Sequence, residues 1–514
     1  MNLPEKKLQE LLEAVEDINP QLVDYWQATA IIESLGYTDR VIQKEFNFPN
    51  ALSLGKYIYE HHRPSPSRKP LPSRQKFWKQ AIAEIGIFIE QFSRSFVYAI
   101  PLILTLLLEY IGLEGKGRAL PLGLASLITL ATLASLCTSG GFVQMISRRG
   151  AFYIGLGEPL QARRVCLPIF YLGAAASILL CLVGLWFGFY RSLVADEYLI
   201  LAAIYYLLLS LLWMLIAMLS VLFSKAEAFV LLGFSLLFLL LRVRLGMDAI
   251  AAQIATTSIA LAAASVLVAI AFNKGKHACD GSAEVKLPHL SALIYLLAPY
   301  FFYGIGYFSF IFADRLIAGW AIDPASGLIF AINSDYQRDM DLALLNFLML
   351  VPWVEYLSYK FIRYWYDRAK QLTPITSRAF VKKLRYLYGL ALLLTVLFFI
   401  LSFTLVVGGF KPFNLGAKET SQTLLGCFGY LFFAIGLFNG ILLFSLNRAK
   451  EALQALLPGL ALNFTVGYLC ANLVDVYSAA IGLLVGAFAF MIFSSLKVLQ
   501  AIKFPDYAYY LSGY

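Results

Sequence analysis

Apolar positions in this chain fall into long unbroken runs separated by short polar stretches. From residue 92 onward twelve runs approach bilayer length, at approximately 92–111, 122–146, 165–189, 199–223, 228–243, 249–272, 290–312, 342–362, 386–407, 424–446, 452–473 and 479–498. A hydrocarbon core about 30 Å thick is crossed by about 20 apolar residues in an α-helix. Continuous apolarity, rather than alternation, selects helices over barrel strands. The pattern predicts an all-α polytopic membrane protein. The run at 228–243 is the shortest and is the least secure span by length. The polar stretch 273–289 divides the runs six plus six, which predicts two six-helix lobes, although no residue-by-residue repeat links the halves.

The first sixty residues follow a different pattern. Leu8, Leu11, Leu12 and Val15 recur at helical spacing, Asn19-Pro20 reads as a cap and start, and Thr38-Asp39 opens another helix. Acids outnumber bases there ten to five. A small soluble helical module is expected over 1–60 and a Pro/Ser/basic linker over 61–80. Transmembrane lobe one then covers 81–273, a cytoplasmic connector 274–289, lobe two 290–505 and a tail 506–514.

Composition narrows the class further. The chain is 60% hydrophobic and only 14% charged, where soluble domains carry about 25% charged residues. No basic n-region precedes an apolar h-region at the start, so the N-terminus is expected in the cytoplasm. With that orientation the inside loops hold Arg148, Arg149, Arg163, Arg164, Arg363, Arg368, Lys382 and Lys383, and the outside loops hold fewer bases. This positive-inside bias predicts an inner-membrane protein with both termini cytoplasmic. The six cysteines have no paired spacing and the four histidines lie outside the apolar runs, so neither a disulfide framework nor a metal site is expected. No phosphate-binding loop, zinc-protease helix or serine elbow is present, which argues against an ATPase or hydrolase. No cofactor and no nucleic-acid partner is implied.

Charges inside hydrocarbon-length runs are the candidate chemistry, because each is costly unless paired or hydrated. Glu355 lies within the eighth run, Asp314 and Arg315 end the seventh, and Glu90 and Arg94 open the first, one helical turn apart and able to pair. An interfacial entry helix fits that last pair equally well. Glu109 is ambiguous at the end of the same run. Asn346 and Asn439 can line a cavity or bond helices together. Pro299, Gly304, Gly306 and Pro352 sit in the same two runs as Asp314 and Glu355, which predicts kinked, mobile helices. An acidic loop with Asp323, Asp335, Asp339 and Asp341 joins those two runs.

Three stretches resemble a known family. They are Gly141-Phe142-Val143-Gln144-Met145-Ile146-Ser147-Arg148-Arg149 with the following Gly157-Glu158-Pro159, then Phe312-Ala313-Asp314-Arg315-Leu316-Ile317-Ala318-Gly319-Trp320, and Pro352-Trp353-Val354-Glu355 with the tyrosine-rich basic run after it. Together they are similar to the integral-membrane exporter subunit of the Pel exopolysaccharide system, in the multidrug/oligosaccharidyl-lipid/polysaccharide flippase superfamily. Arg315 stands where lysine is expected. The resemblance implies an exporter, not an enzyme, moving a polysaccharide or lipid-linked glycan across the inner membrane by alternating access. Its path residues would be Asp314, Arg315, Glu355, Glu90, Arg94, Asn346 and Asn439. Its partners would be membrane lipid, the glycan, a cytoplasmic glycosyltransferase and regulatory membrane subunits. A drug antiporter of the same superfamily, a membrane glycan polymerase and a non-transporting scaffold stay open as alternatives.

Overall fold

A computed structural model describes residues 8, 11–12, 14–15, 24–35, 37, 39–61, 77–104, 121–155, 158–192, 194–223, 226–278, 290–320, 330–369, 374–409 and 417–505. The chain divides into two compact units, Met1–Gly86 and Ile87–Tyr514. Glu109, Gly157, Asp323, most of the expected linker and connector, and the tail lie outside the described residues.

The first unit contains α1 (Tyr25–Ser34), α2 (Asp39–Glu45) and α3 (Ala51–His61). Asp24 caps α1 by accepting the Gln27 amide at 2.8 Å, and Asp39 Oδ1 accepts the Ala51 amide at 2.8 Å, tying α2 to α3. Leu11, Val15, Ile32, Ile42, Leu54 and Ile58 close a core of their own. Asn19-Pro20 falls outside the described residues; the observed cap is Asp24.

The remaining helices are α4 (Phe77–Phe96, continuing through a 3-10 turn at Val97–Ala99), α5 (Leu122–Gly155), α6 (Pro159–Arg191), α7 (Asp196–Leu222), α8 (Ala226–Leu239, ending in a π-turn at Leu240–Arg244), α9 (Ala249–Ala278), α10 (Leu290–Trp320), α11 (Ser334–Ala369), α12 (Pro374–Gly409), α13 (Ala417–Ser445), α14 (Ala449–Leu473) and α15 (Ala479–Lys503). Among the described residues twelve segments are long and apolar enough to cross a membrane. Among the described residues there is no strand.

Three expected boundaries move. Helix is described from Phe77 onward, inside the expected linker 61–80. The first span starts at Glu84 rather than at 92, since Ile85, Ile87, Phe88 and Ile89 extend the apolar run toward the N-terminus, and it is described as far as Leu104; Glu90 and Arg94 therefore lie within it. The fifth span is Ala226–Arg244, so Glu227 sits inside it.

Packing makes the two lobes explicit. In lobe one, α5 packs on α6 and α7, α7 on α9, and α8 on α9; in lobe two, α11 packs on α12 and α13, α13 on α15, and α14 on α15. The same pairing scheme is thus used twice. The lobes meet along α5 and α10. Gly140 and Gly304 set their approach: a Cβ on Gly140 would meet the Gly304 carbonyl oxygen at 3.0 Å and the Phe308 ring. Small residues at a crossing let two helix backbones come this close.

Candidate functional site

The first span straddles the two lobes. Val97, Tyr98 and Ile100 join the core of lobe one, while Leu102 and Ile103 pack on Leu342, Leu345 and Val406 of lobe two. Phe88 meets Tyr356 edge-on at 5.1 Å between ring centroids, and Phe92 meets Phe398 at 6.3 Å.

Polar groups on the same span follow that division. Arg94 Nε lies 3.1 Å from Glu227 Oε1, and its Nη2 donates to the Ser220 carbonyl at 3.1 Å. Tyr98 donates its hydroxyl to Glu227 Oε2 at 3.0 Å. Glu227 is 2% exposed, so its charge rests on those two partners. On the other side Ser95 donates its hydroxyl to Glu355 of α11. Three residues within five positions of one helix thereby engage a carboxylate from each lobe. Of the two readings of Glu90 and Arg94, the pairing is not formed: Arg94 meets the buried Glu227, and Glu90 is exposed.

Glu355 is itself exposed, although α11 continues for 14 further residues to its end at Ala369, about 21 Å at 1.5 Å per residue. It opens into a cavity of about 450 Å³ lined by Glu355, Ser358, Tyr359, Ile362, Arg363, Tyr366, Ile441 and Ser445. Arg363 donates to the Tyr359 hydroxyl at 3.1 Å and lies 3.9 Å from Asp367. Tyr366 donates to the Ser445 carbonyl at 2.5 Å, holding the end of α11 against α13. The wall carries acid, guanidinium, hydroxyls and two phenol rings, groups that can hydrogen-bond to and stack on a bound ligand.

Asp314 and Arg315 are elsewhere. Both are buried inside lobe two, where the pattern of the run left them at a boundary. Arg315 Nη2 donates to Asp341 Oδ1 at 2.7 Å, and Nη1 donates to the Tyr430 hydroxyl at 3.1 Å. Asp314 Oδ2 accepts from Tyr336 at 3.1 Å, and its other oxygen is 3.9 Å from Arg315. A void of about 10 Å³ lies beside this network, at most the space of a single water. These two residues tie α10 to α11 and α13 and do not share the Glu355 cavity.

The asparagines also join helices. Asn346 accepts from Ser402 at 2.6 Å, and Asn439 links Tyr388 (2.9 Å) to Ser494 and Ser495 (3.0 Å each). Pro299 and Pro352 lie inside helices assigned without a break. Gly304 and Gly306 serve close packing, against Gly140 and Leu456 respectively.

At the end of the bundle holding Arg363, Arg148 of lobe one donates to the Phe444 carbonyl of lobe two at 2.9 Å and lies 5.6 Å over the Tyr300 ring. Arg149 stacks on Phe152 and Tyr153, Lys383 on Tyr364, and Arg368 and Lys382 are exposed. At the opposite end the Ile332 amide donates to Ser126 Oγ at 2.9 Å, joining the lobes there as well. Among the described residues no group of three His, Cys, Asp or Glu gathers to hold a metal.

Comparison with solved structures agrees with this two-lobed arrangement. An outward-facing multidrug resistance MATE family transporter of the MOP superfamily aligns with a TM-score of 0.55 at 14% identity, covering 81% of this chain and 96% of that one. The fold is that of the MATE transporters. The Vibrio cholerae MATE transporter VcmN aligns at 0.54 and 14% identity, over 84% of this chain and 100% of its own. An inward-facing MATE family transporter of the MOP superfamily aligns at 0.52 and 12% identity, over 82% and 99%. No protein-family model matches the chain, and no curated relative is found by sequence.

Proposed function

We propose that this protein is a transporter of the MOP superfamily that exports a polysaccharide or a lipid-linked glycan by alternating access. The observation that carries the reading is the Glu355 cavity, an open polar and aromatic space reaching deep along a membrane-crossing helix and tied to the first span through Ser95. Sugar rings pack on tyrosine faces, and their hydroxyls hydrogen-bond to carboxylate and guanidinium groups. In this reading the cavity faces the cytoplasm, both termini are cytoplasmic, and the protein sits in the inner membrane, following the basic loops. The first unit serves to recruit a cytoplasmic glycosyltransferase or a regulatory subunit.

Export of small drugs by the same fold is the second reading. It is favoured by a separate apolar pocket of about 380 Å³ between α5, α6 and α7, capped by Trp320 and Phe330, and by the multidrug transporters among the structural neighbours. One experiment separates the two. Cells lacking the gene are complemented with the native chain or with Glu355→Gln, and both secreted glycan and drug accumulation are measured. Glycan export should return with the native chain and fall by about tenfold or more with the variant, the size of a lost charge-assisted contact. Restored drug efflux with unchanged glycan would favour the second reading, and full glycan export by a well-inserted variant would refute the role of Glu355.

A further inference from the structure

We propose that the first three turns of α6 hold the phosphate headgroup of an anionic phospholipid. The site is a pocket of about 370 Å³ lined by Leu160, Arg163, Arg164, Leu167, Pro168 and Tyr171. At 100° per residue these six positions share one stripe, roughly 140° wide, on a single helix. Leu160 to Tyr171 spans about 16 Å along the axis, the depth from a headgroup layer into the acyl region. The pocket has two chemistries in that order: guanidiniums in the upper turns, then Leu167, Pro168 and a Tyr171 that is 65% exposed on the outer surface.

Arg163, like Arg149, keeps a guanidinium nitrogen shielded from solvent without a hydrogen bond, and Arg163 lines the pocket. Arg94, Arg315, Arg338, Arg363 and Arg448 each have a carboxylate within 4 Å, and Arg148 binds a helix-terminal carbonyl. Arg163 has no carboxylate partner among the described residues. Its guanidinium lies 5.8 Å over the Phe272 ring, and its Nη1 is shielded from solvent without a hydrogen bond. A guanidinium left this way binds phosphate through its planar fork, and Arg164 lines the same pocket. Basic pockets next to membrane-crossing helices recognise lipid headgroups by this chemistry.

The test uses full-length protein purified in detergent and incubated with an equal mixture of phosphatidylglycerol and phosphatidylcholine, with bound lipid read by native mass spectrometry. The native chain should retain phosphatidylglycerol preferentially. In Arg163→Gln/Arg164→Gln that retention should fall roughly tenfold, as charge-assisted phosphate contacts predict. Arg191→Gln, at the other end of the same helix, should retain lipid as the native chain does. Leu167→Trp, which fills the apolar half of the pocket and keeps both charges, should also lose retention, and it provides the reading if the double variant does not fold. Equal retention of both lipids, native-like retention by the double variant and by Leu167→Trp, or full displacement of the lipid by inorganic phosphate alone would each overturn the proposal, the last by assigning the site to a free anion.

Discussion

Glu227 and Glu355 answer the cost of a carboxylate in hydrocarbon in different ways. Glu227 is enclosed, and Arg94 and Tyr98 supply its partners. Glu355 is open to a cavity, where water can satisfy the oxygen that Ser95 does not. Glu227→Leu should therefore strand a guanidinium and a hydroxyl and lower stability by about 1–3 kcal/mol, seen as a drop in thermal midpoint of the purified protein. Glu355→Leu should leave the midpoint nearly unchanged and, under the proposed function, reduce transport. Arg315→Lys keeps the charge but loses the fork that reaches Asp341 and Tyr430 together, and should cost about 1 kcal/mol in the same assay. The sequence reveals such residues unevenly. Glu355 and Asp314 stand out because charge in an apolar run is conspicuous. Glu227 does not, because an acid at the first turn of a short run looks like the loop before it. Ser95, Tyr98 and Ser358 carry no charge, and only the packing of separate spans reveals that they meet a carboxylate or line its cavity.

Among the elements, the first span is the one that belongs to both lobes. Its aromatic face lies on lobe two, and its Arg94 and Tyr98 reach into lobe one, so any relative movement of the lobes must strain or exchange one set of contacts. The crossing of α5 and α10 is the second shared element. Gly140→Val would drive a branched side chain into Phe308 and the Gly304 carbonyl, an overpacking worth about 1–3 kcal/mol. Under the proposed function, transport should fall sharply while membrane insertion and the folding of each lobe persist, which limited proteolysis of the purified variant can check. Gly304 appears in the sequence as a helix breaker, yet α10 passes through it unbroken and the missing side chain serves an approach between helices. Periodicity along one helix cannot distinguish these two uses, because the deciding neighbour is over 160 residues away in the chain.

For the whole molecule, the twelve spans and their division into two lobes could be read from apolar run lengths and the central polar stretch. The repeated packing scheme could not, because it survives as geometry without a matching residue pattern. If the lobes rock against each other, the Ser126–Ile332 contact must part during each cycle. Ser126→Cys/Ile332→Cys should therefore block transport under oxidising conditions and recover with reductant; transport unaffected by a confirmed cross-link would exclude opening at that end. Deleting residues 1–60 should leave the lobes inserted and folded but reduce export if that unit recruits a partner, measured as secreted glycan beside a membrane-insertion control. The glycine crossing has one more consequence. Gly304 lies near the middle of α10, with 14 residues to Leu290 and 16 to Trp320, arms of about 21 and 24 Å. If the lobes rock, such a point would act as a fulcrum, and the two arms would make a nearly balanced lever. A turn of about 15°, the size of known rigid-body rearrangements, would carry the two ends roughly 5 to 6 Å in opposite senses. One mouth then widens by nearly the amount the other narrows, so that a single motion both admits and seals.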